Sequence, residues 1–262
     1  MSQCHYTIPH TTRNKPHLRA NPEPLKQPTP KQIPKPIIQT PQITNSQVET
    51  IKPLPHLLNQ GIHLTTIIDK SRKISIKSEA TDNADYKIYS DGSCINNGIG
   101  AAAIIYNKNR ITPYKSLKAY LGSPEDHNTY KAKIIGAILA IWILKNSPIT
   151  IGKKISLYID NQSVIQALRT PNTVSGQYLI QALLSATNSM ARNLMICWIS
   201  SHSDVYGNKN VDRLAKQAAE GCSSTTIHLP PILRQPLLTS ASAIKQKFNT
   251  KIKKLLSGQP AK

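Results

Sequence analysis

The stretch YKIYSDGSCINNGIGAAAIIY, residues 86–106, decides the fold of this chain. It opens with a short run of alternating apolar residues, and the NNG sequence at 96–98 is a turn signal. Gly100–Tyr106 then predicts a second strand, and Ile111–Leu121 predicts a third. Connections this short predict that the three strands form an antiparallel meander.

Beyond the meander, helical and strand patterns alternate. Residues 127–144 carry apolar side chains at the spacing of a buried helical stripe, including Ile134, Ile138 and Ile141. Further strands are predicted at 155–159 and 194–200, and further helices at 162–168, 178–190 and 208–220. This order predicts an α/β domain over residues 86–222, with a mixed five-stranded sheet and helices on both faces.

The segments around this domain differ in composition. Residues 1–55 hold 11 of the 19 prolines, which predicts a disordered Pro/Lys-rich tail. Residues 56–85 are predicted to be a linker that contains at most one strand. Residues 223–262 are predicted to form a basic C-terminal tail with a helix at 241–256.

The charge favours a polyanionic partner. Lys and Arg number 33 against 13 Asp and Glu, a net charge of +20. The domain holds 15 basic and 7 acidic residues, so the flanks carry the remaining +12. Nucleic acid is the expected partner before a membrane surface, although a basic disordered tail alone could produce such a charge.

The sequence also excludes several classes of protein. It has neither a signal-peptide pattern nor a run of about 18–20 apolar residues, so we expect an intracellular protein, nuclear or cytoplasmic, that is neither secreted nor membrane-bound. The four cysteines share no short spacing, which argues against a disulfide framework and a zinc site. Cys4, His5 and His10 could bind a metal, but an incidental cluster in a disordered tail is the simpler interpretation.

Three aspartates occupy positions at which catalytic residues are often found. Asp91 and Asp160 follow predicted strands, and Asp212 lies in the first turn of the last predicted helix. Carboxylates gathered at strand ends can hold two Mg²⁺ ions for phosphoryl hydrolysis. Each also has a structural interpretation, because Asp91 could be a turn residue, Asp160 a helix N-cap and Asp212 a complement to the helix dipole.

Four segments together resemble the type 1 ribonuclease H domain of non-LTR (LINE-like) retrotransposon reverse transcriptases, particularly fungal ones. They are IYSDGS (88–93), HNTYKAKIIGAILAI (127–141), LYIDNQSVIQAL (157–168) and WISSHSDVYGNKNVDRLAKQAA (198–219). The resemblance implies the ribonuclease H-like fold and hydrolysis of the RNA strand of an RNA/DNA hybrid with two Mg²⁺ or Mn²⁺ ions. We further expect a monomer.

The resemblance also assigns the site residues. Asp91, Asp160 and Asp212 match three of the four metal-binding acids of that family, and His202 matches its loop histidine. At the position of the fourth acid, a Glu, this chain has Lys133.

Replacing that carboxylate by an ammonium group changes the local charge by two units. At ~4 Å and an effective dielectric constant of ~20, each unit-charge pair is worth about 4 kcal/mol, so metal binding is expected to weaken by several kcal/mol. Glu125 and Asp126 could substitute, but they precede the helix and are expected to be solvated loop charges. We therefore expect hybrid cleavage to be severely reduced or absent. The alternatives are a non-catalytic nucleic-acid-binding module and a decayed retrotransposon fragment.

Composition suggests one cause for the lost acid. The chain has 34 Ile against 5 Val and 25 Lys against 8 Arg, and lysines stand at 131 and 133 where the resembling family usually carries acids. Glu→Lys and Val→Ile are both G-to-A codon changes, and Thr→Ile is a C-to-T change. These biases suggest G:C-to-A:T mutational decay of the kind inflicted on repeated DNA in fungi.

Overall fold

The computed structural model describes residues 48–52, 64–108, 110–149, 152–171, 174–190, 192–201 and 203–257. All of them belong to one compact unit, residues 43–262. The strands are β1 Thr65–Ile67, β2 Tyr86–Ile95, β3 Gly98–Asn107, β4 Lys115–Gly122, β5 Ile155–Ile159 and β6 Leu194–Trp198. The helices are α1 Arg72–Thr81, α2 Thr129–Lys145, α3 Gln162–Arg169, α4 Gln177–Thr187, α5 Tyr206–Ala219 and α6 Ala241–Leu256. Short 3-10 helices lie at Asn188–Met190, Thr226–His228 and Pro231–Leu233.

The predicted meander is confirmed. β2 pairs antiparallel with β3 from Tyr86↔Asn107 to Ile95↔Gly98, and β3 pairs antiparallel with β4. Asn96 and Asn97 join the first two strands with φ angles of 48° and 61°. Asparagine tolerates this left-handed conformation better than most residues, which is why the NNG sequence makes a tight hairpin.

The mixed α/β fold is confirmed, with one strand more than expected. The sheet order is β1-β6-β5-β2-β3-β4, in which β5 pairs parallel with both β2 and β6. The sixth strand is β1, which adds three residues parallel to β6 at the edge. The sequence pattern allowed one strand in this segment but did not show that it joins the sheet.

Helices cover both faces of the sheet, as predicted. On one face α2 lies against the sheet, and Ile134, Ile135 and Leu139 are wholly buried in a core that α3 and α4 complete. On the other face α5 packs over the ring of Tyr89, which stacks on Tyr158 with centroids 5.2 Å apart. Among the described residues, no helix has both the length and the apolar character needed to cross a membrane.

Several predicted boundaries are wrong. The disordered tail predicted for 1–55 does not hold at 48–52, where Glu49 is buried and Val48 bridges to Thr239; the other residues of that tail lie outside the described part of the chain. The predicted linker 56–85 contains β1 and all of α1, which begins where the side chain of Ser71 caps the helix. The helix predicted at 241–256 is confirmed as α6.

Candidate active site

The sheet brings Asp91 and Asp160 side by side. β2 and β5 pair in parallel up to Ser90↔Ile159, so Asp91 and Asp160 are the next residues on neighbouring strands. Asp91 is part of β2 and pairs with Ala102, so it is not a turn residue. Asp160 does not cap the following helix either, because Asn161 Oδ1 accepts the hydrogen bond from the Val164 amide. Neither structural interpretation of these two aspartates is supported.

Two glycines let α2 approach this point closely. A Cβ atom on Gly92 would lie 2.5 Å from the backbone of Ala132 and Lys133, and one on Gly136 would lie 2.7 Å from the carbonyl oxygen of Asp91. Such separations are far inside van der Waals contact, so glycine is needed at both positions for α2 to lie directly on β2. This contact places the side chain of Lys133 over the two carboxylates.

The ammonium group of Lys133 bridges both aspartates. Its Nζ donates to Asp91 Oδ1 at 2.9 Å and to Asp160 Oδ1 and Oδ2 at 2.6 and 2.5 Å. The side chains of Asp91 and Asp160 are 9% and 7% exposed, and that of Lys133 is 16% exposed. The lysine therefore does not extend toward solvent, as a long charged side chain at a cavity edge commonly does. It occupies the space between the carboxylates.

The charges in this group perturb one another. Burial and then the charge of Asp160 raise the pKa of Asp91 above its ordinary range, against the opposing effect of the Lys133 ammonium group. Burial alone would lower the pKa of Lys133, but the two carboxylates outweigh it and raise that pKa. Lys133 is therefore fully charged at neutral pH and acts as the counterion of the pair.

Asp212 reaches the same cavity from the other side. It lies in the second turn of α5, not the first as predicted, because the helix begins at Tyr206. Its carboxylate accepts a 2.7 Å hydrogen bond from Lys216, and both residues line a cavity of about 740 Å³ with Asp91, Lys133 and Asp160. The predicted set of three aspartates and Lys133 thus shares one cavity.

Of the remaining predicted residues, those that the structure describes do not line this cavity. His202 lies outside the described residues, although its neighbours Ser201 and Ser203 line the cavity. Glu125 instead forms an ion pair with Lys247 on α6. Neither Glu125 nor Asp126 is among the described residues that line the cavity, so neither replaces the missing acid.

The residues present do not fit a pair of divalent metal ions. The described residues hold no group of three or more His, Cys, Asp or Glu side chains placed to bind a metal ion. Asp91 Oδ1 and both carboxylate oxygens of Asp160 already accept hydrogen bonds from the Lys133 ammonium group, whose positive charge offsets one of the two negative charges of the pair. A cation entering this site has to displace a positive charge tethered to the protein.

Sequence reasoning missed a second buried lysine two residues before Lys133. The Lys131 side chain is wholly buried, and its Nζ lies 3.7 Å from Glu49 Oε2. Glu49 also accepts hydrogen bonds from the backbone amides of Gly176 and Ala241, at 2.9 and 2.8 Å. No sequence pattern connects Glu49 to these partners, since all of them are distant in the chain.

The chain is similar in sequence to one protein family and in structure to several solved proteins. The sequence profile of the RNase H family matches residues 83–220. No curated protein gives a significant match. Among solved structures, LC11-RNase H1 in complex with an RNA/DNA hybrid is 15% identical over 52% of this chain and 97% of its own, with a TM-score of 0.42. RNase H1 from the halophilic archaeon Halobacterium salinarum NRC-1 is 14% identical over 52% and 98%, with a TM-score of 0.41.

A longer protein also matches. The foamy viral protease-reverse transcriptase in complex with an RNA/DNA hybrid is 14% identical over 53% of this chain, with a TM-score of 0.45. This chain covers only 20% of the length of that protein.

Proposed function

The chain belongs to the RNase H family, and from this premise we propose that it binds RNA/DNA hybrids and that its cleavage of the RNA strand is severely reduced or absent. Membership supports RNA–DNA hybrid nuclease activity for the family in general. The observation that carries our proposal is the Lys133 ammonium group bridging Asp91 and Asp160.

Two-metal hydrolysis requires carboxylates whose charge is available to the metal ions. In this chain one of the four expected acids is a lysine, and that lysine forms ion pairs with two of the remaining three, which offsets one of their two negative charges. Each unit-charge pair at ~4 Å and a dielectric constant of ~20 is worth about 4 kcal/mol, and the metal is divalent. Binding of at least one Mg²⁺ or Mn²⁺ ion is therefore weakened by several kcal/mol.

Binding of the RNA/DNA hybrid does not depend on the carboxylates that would hold the metal ions. Lysines and arginines that contact phosphates supply salt-dependent affinity with little sequence choice. The chain has a net charge of +20, and Lys209 and Lys216 line the cavity beside Asp212. We also infer that the domain is of type 1, that it acts as a monomer, and that it derives from the reverse transcriptase of a LINE-like element, as the four quoted segments suggest.

The deciding experiment is hybrid cleavage by the full chain in Mg²⁺ and in Mn²⁺. We expect no product from the wild type and Mg²⁺-dependent product from the Lys133→Glu variant, because that change restores the fourth carboxylate. Lys209→Glu is the matched control, since it makes the same charge change on the rim of the same cavity and restores no ligand. Wild-type turnover equal to that of the Lys133→Glu variant would contradict the loss of cleavage.

A second measurement tests binding. Fluorescence anisotropy with a labelled hybrid in EDTA is expected to show salt-dependent binding by the wild type. An absence of binding at low salt would contradict the proposed function as a whole, including the alternative of a non-catalytic binding module. A domain that neither binds hybrid nor unfolds cooperatively is the outcome expected of a decayed fragment.

A further inference from the structure

The charged side chains that helix α6 presents to solvent are all positive. It carries Lys245, Lys247, Lys251, Lys253 and Lys254 and no acidic residue. All five of these side chains are exposed. A groove of about 690 Å³ runs between this helix and the body, lined on the α6 side by Lys247, Lys251 and Lys254.

This groove adjoins the carboxylate cavity. Cys94 on β2 and Thr129 at the start of α2 line both hollows. A strand that occupies the carboxylate cavity and passes Cys94 and Thr129 would therefore enter the groove along α6.

The free positive charge of the groove comes from two lysines. Lys247 is paired with Glu125 across the groove. His127 also lines it, but burial lowers the pKa of His127 to about 4, so the imidazole is neutral at pH 7. Within the described part of the chain, Lys251 and Lys254 form no ion pair, and at a spacing of three residues they lie on one face of the helix.

We propose that Lys251 and Lys254 bind phosphates of a nucleic-acid strand that extends from the carboxylate cavity along α6. The proposal rests on the hybrid binding proposed above and names a surface for it. Charge complementarity favours a phosphodiester backbone, because the two unpaired ammonium groups line a groove that adjoins the cavity.

A membrane surface fits this helix less well. An amphipathic helix that lies on a membrane buries its apolar face and keeps its lysines at the borders of that face. The exposed apolar side chains of α6, Phe248, Ile252 and Leu256, are not among the residues that line the groove with Lys251 and Lys254. The residues that line the groove are therefore not those that a membrane lying on the apolar face of α6 would bury.

The test compares two double variants of the full chain. Lys251→Ala/Lys254→Ala removes the unpaired charges of the groove, while Lys245→Ala/Lys253→Ala removes two charges from α6 residues that do not line the groove. Binding of a labelled RNA/DNA hybrid is measured in EDTA over a range of salt concentrations. We expect the groove variant to bind about tenfold more weakly near 0.1 M salt, with a salt slope shallower by about two, and the control variant to change much less.

The outcomes separate this proposal from the proposed function. Equal losses in both double variants, or no loss in the groove variant, would overturn the α6 site while wild-type hybrid binding stands. Absence of wild-type binding would overturn both. A groove variant that loses binding to phosphatidylserine vesicles and keeps its affinity for the hybrid would assign the surface to a membrane, and so would also overturn the proposal.

Discussion

Substituting Lys133 by methionine is expected to destabilise the protein by an amount that the site geometry sets. The Lys133 ammonium group lies 2.9 Å from Asp91 and 2.5 Å from Asp160. At an effective dielectric constant of ~20, each contact contributes about 6 kcal/mol of Coulomb attraction, offset by several kcal/mol of desolvation for each buried charge. Removing one partner of a buried pair costs ~3–5 kcal/mol, because the charges left behind are uncompensated. Since Lys133 keeps 16% of its side chain exposed, we expect a loss of about 3 kcal/mol.

Urea denaturation in EDTA measures this loss as a lower midpoint at unchanged m-value. Lys216→Met is the matched control, because Lys216 lines the same cavity but pairs with Asp212 on the surface, where the two side chains are 47% and 34% exposed. An exposed pair of this kind is worth less than about 0.5 kcal/mol. If the two methionine variants lose the same free energy of unfolding, Lys133 is not the counterion of the two aspartates. A further arm adds Mg²⁺, which is expected to raise the Tm of Lys133→Met and to leave that of the wild type unchanged, because only the variant leaves the carboxylates uncompensated.

Three other changes have defined outcomes. Glu49→Gln is expected to lower the free energy of unfolding by about 3–5 kcal/mol in urea denaturation, because it leaves the wholly buried Lys131 ammonium without a carboxylate. Gly136→Ala is expected to lower the Tm at a cost of about 1–3 kcal/mol, since the added Cβ would meet the Asp91 carbonyl oxygen at 2.7 Å. Burial lowers the pKa of His127 to about 4. As the pH falls below about 6.5, the His127 imidazole is therefore protonated in the unfolded state before it is protonated in the folded state. The free energy of unfolding drops by up to about 3 kcal/mol between pH 6.5 and pH 4.

For each of these three predictions, a control variant or a specific result would show that the reasoning is wrong. Glu125→Gln is the control for Glu49, because Glu125 pairs with Lys247 on the surface, and equal effects would show that burial of the Glu49 pair is unimportant. A Gly136→Ala variant as stable as the wild type would mean that α2 can move away from β2 freely. His127→Phe is expected to flatten the acid limb of stability against pH, and the exposed His228 serves as control with the same substitution.

Local pattern was sufficient for most of the fold. The NNG turn and the apolar runs around it predicted the meander, and the stripe at Ile134 and Ile138 predicted α2, because both features depend on short-range periodicity. Helix α1 was missed because its sequence RKISIKSEAT has no sustained apolar period, although Ser71 caps it in the ordinary way. Its position is stabilised by tertiary contacts such as Tyr89 Oη donating to Glu79 Oε1 at 2.5 Å.

The residues of the candidate site could be predicted from the sequence, but their arrangement in space could not. Register brings Asp91 and Asp160 together, and the resemblance supplied Asp212 and Lys133. The direction of the Lys133 side chain could not be predicted, because it depends on the close approach of α2 that Gly92 and Gly136 permit. In the structure the ammonium group turns inward, onto both carboxylates.

Lys131 and Lys133 differ in what their ion-pair partners indicate about mutational decay. Lys133 is paired with Asp91 and Asp160, which lie within the matched residues 83–220 and line the same cavity, so its pairing follows from its position alone. Lys131 is paired with Glu49, which lies outside the matched residues 83–220 and belongs to a different segment of the chain.

A lysine placed by random mutation in a fully buried position is strongly destabilising unless a carboxylate meets it. Decay alone would have to supply Glu49 by chance, whereas selection for a folded domain retains it. The decay hypothesis therefore requires a coding sequence markedly enriched in A+T relative to active relatives, together with a wild type that unfolds without cooperativity. A cooperative transition that Glu49→Gln weakens, in a gene without that enrichment, would refute decay and leave a domain kept for binding.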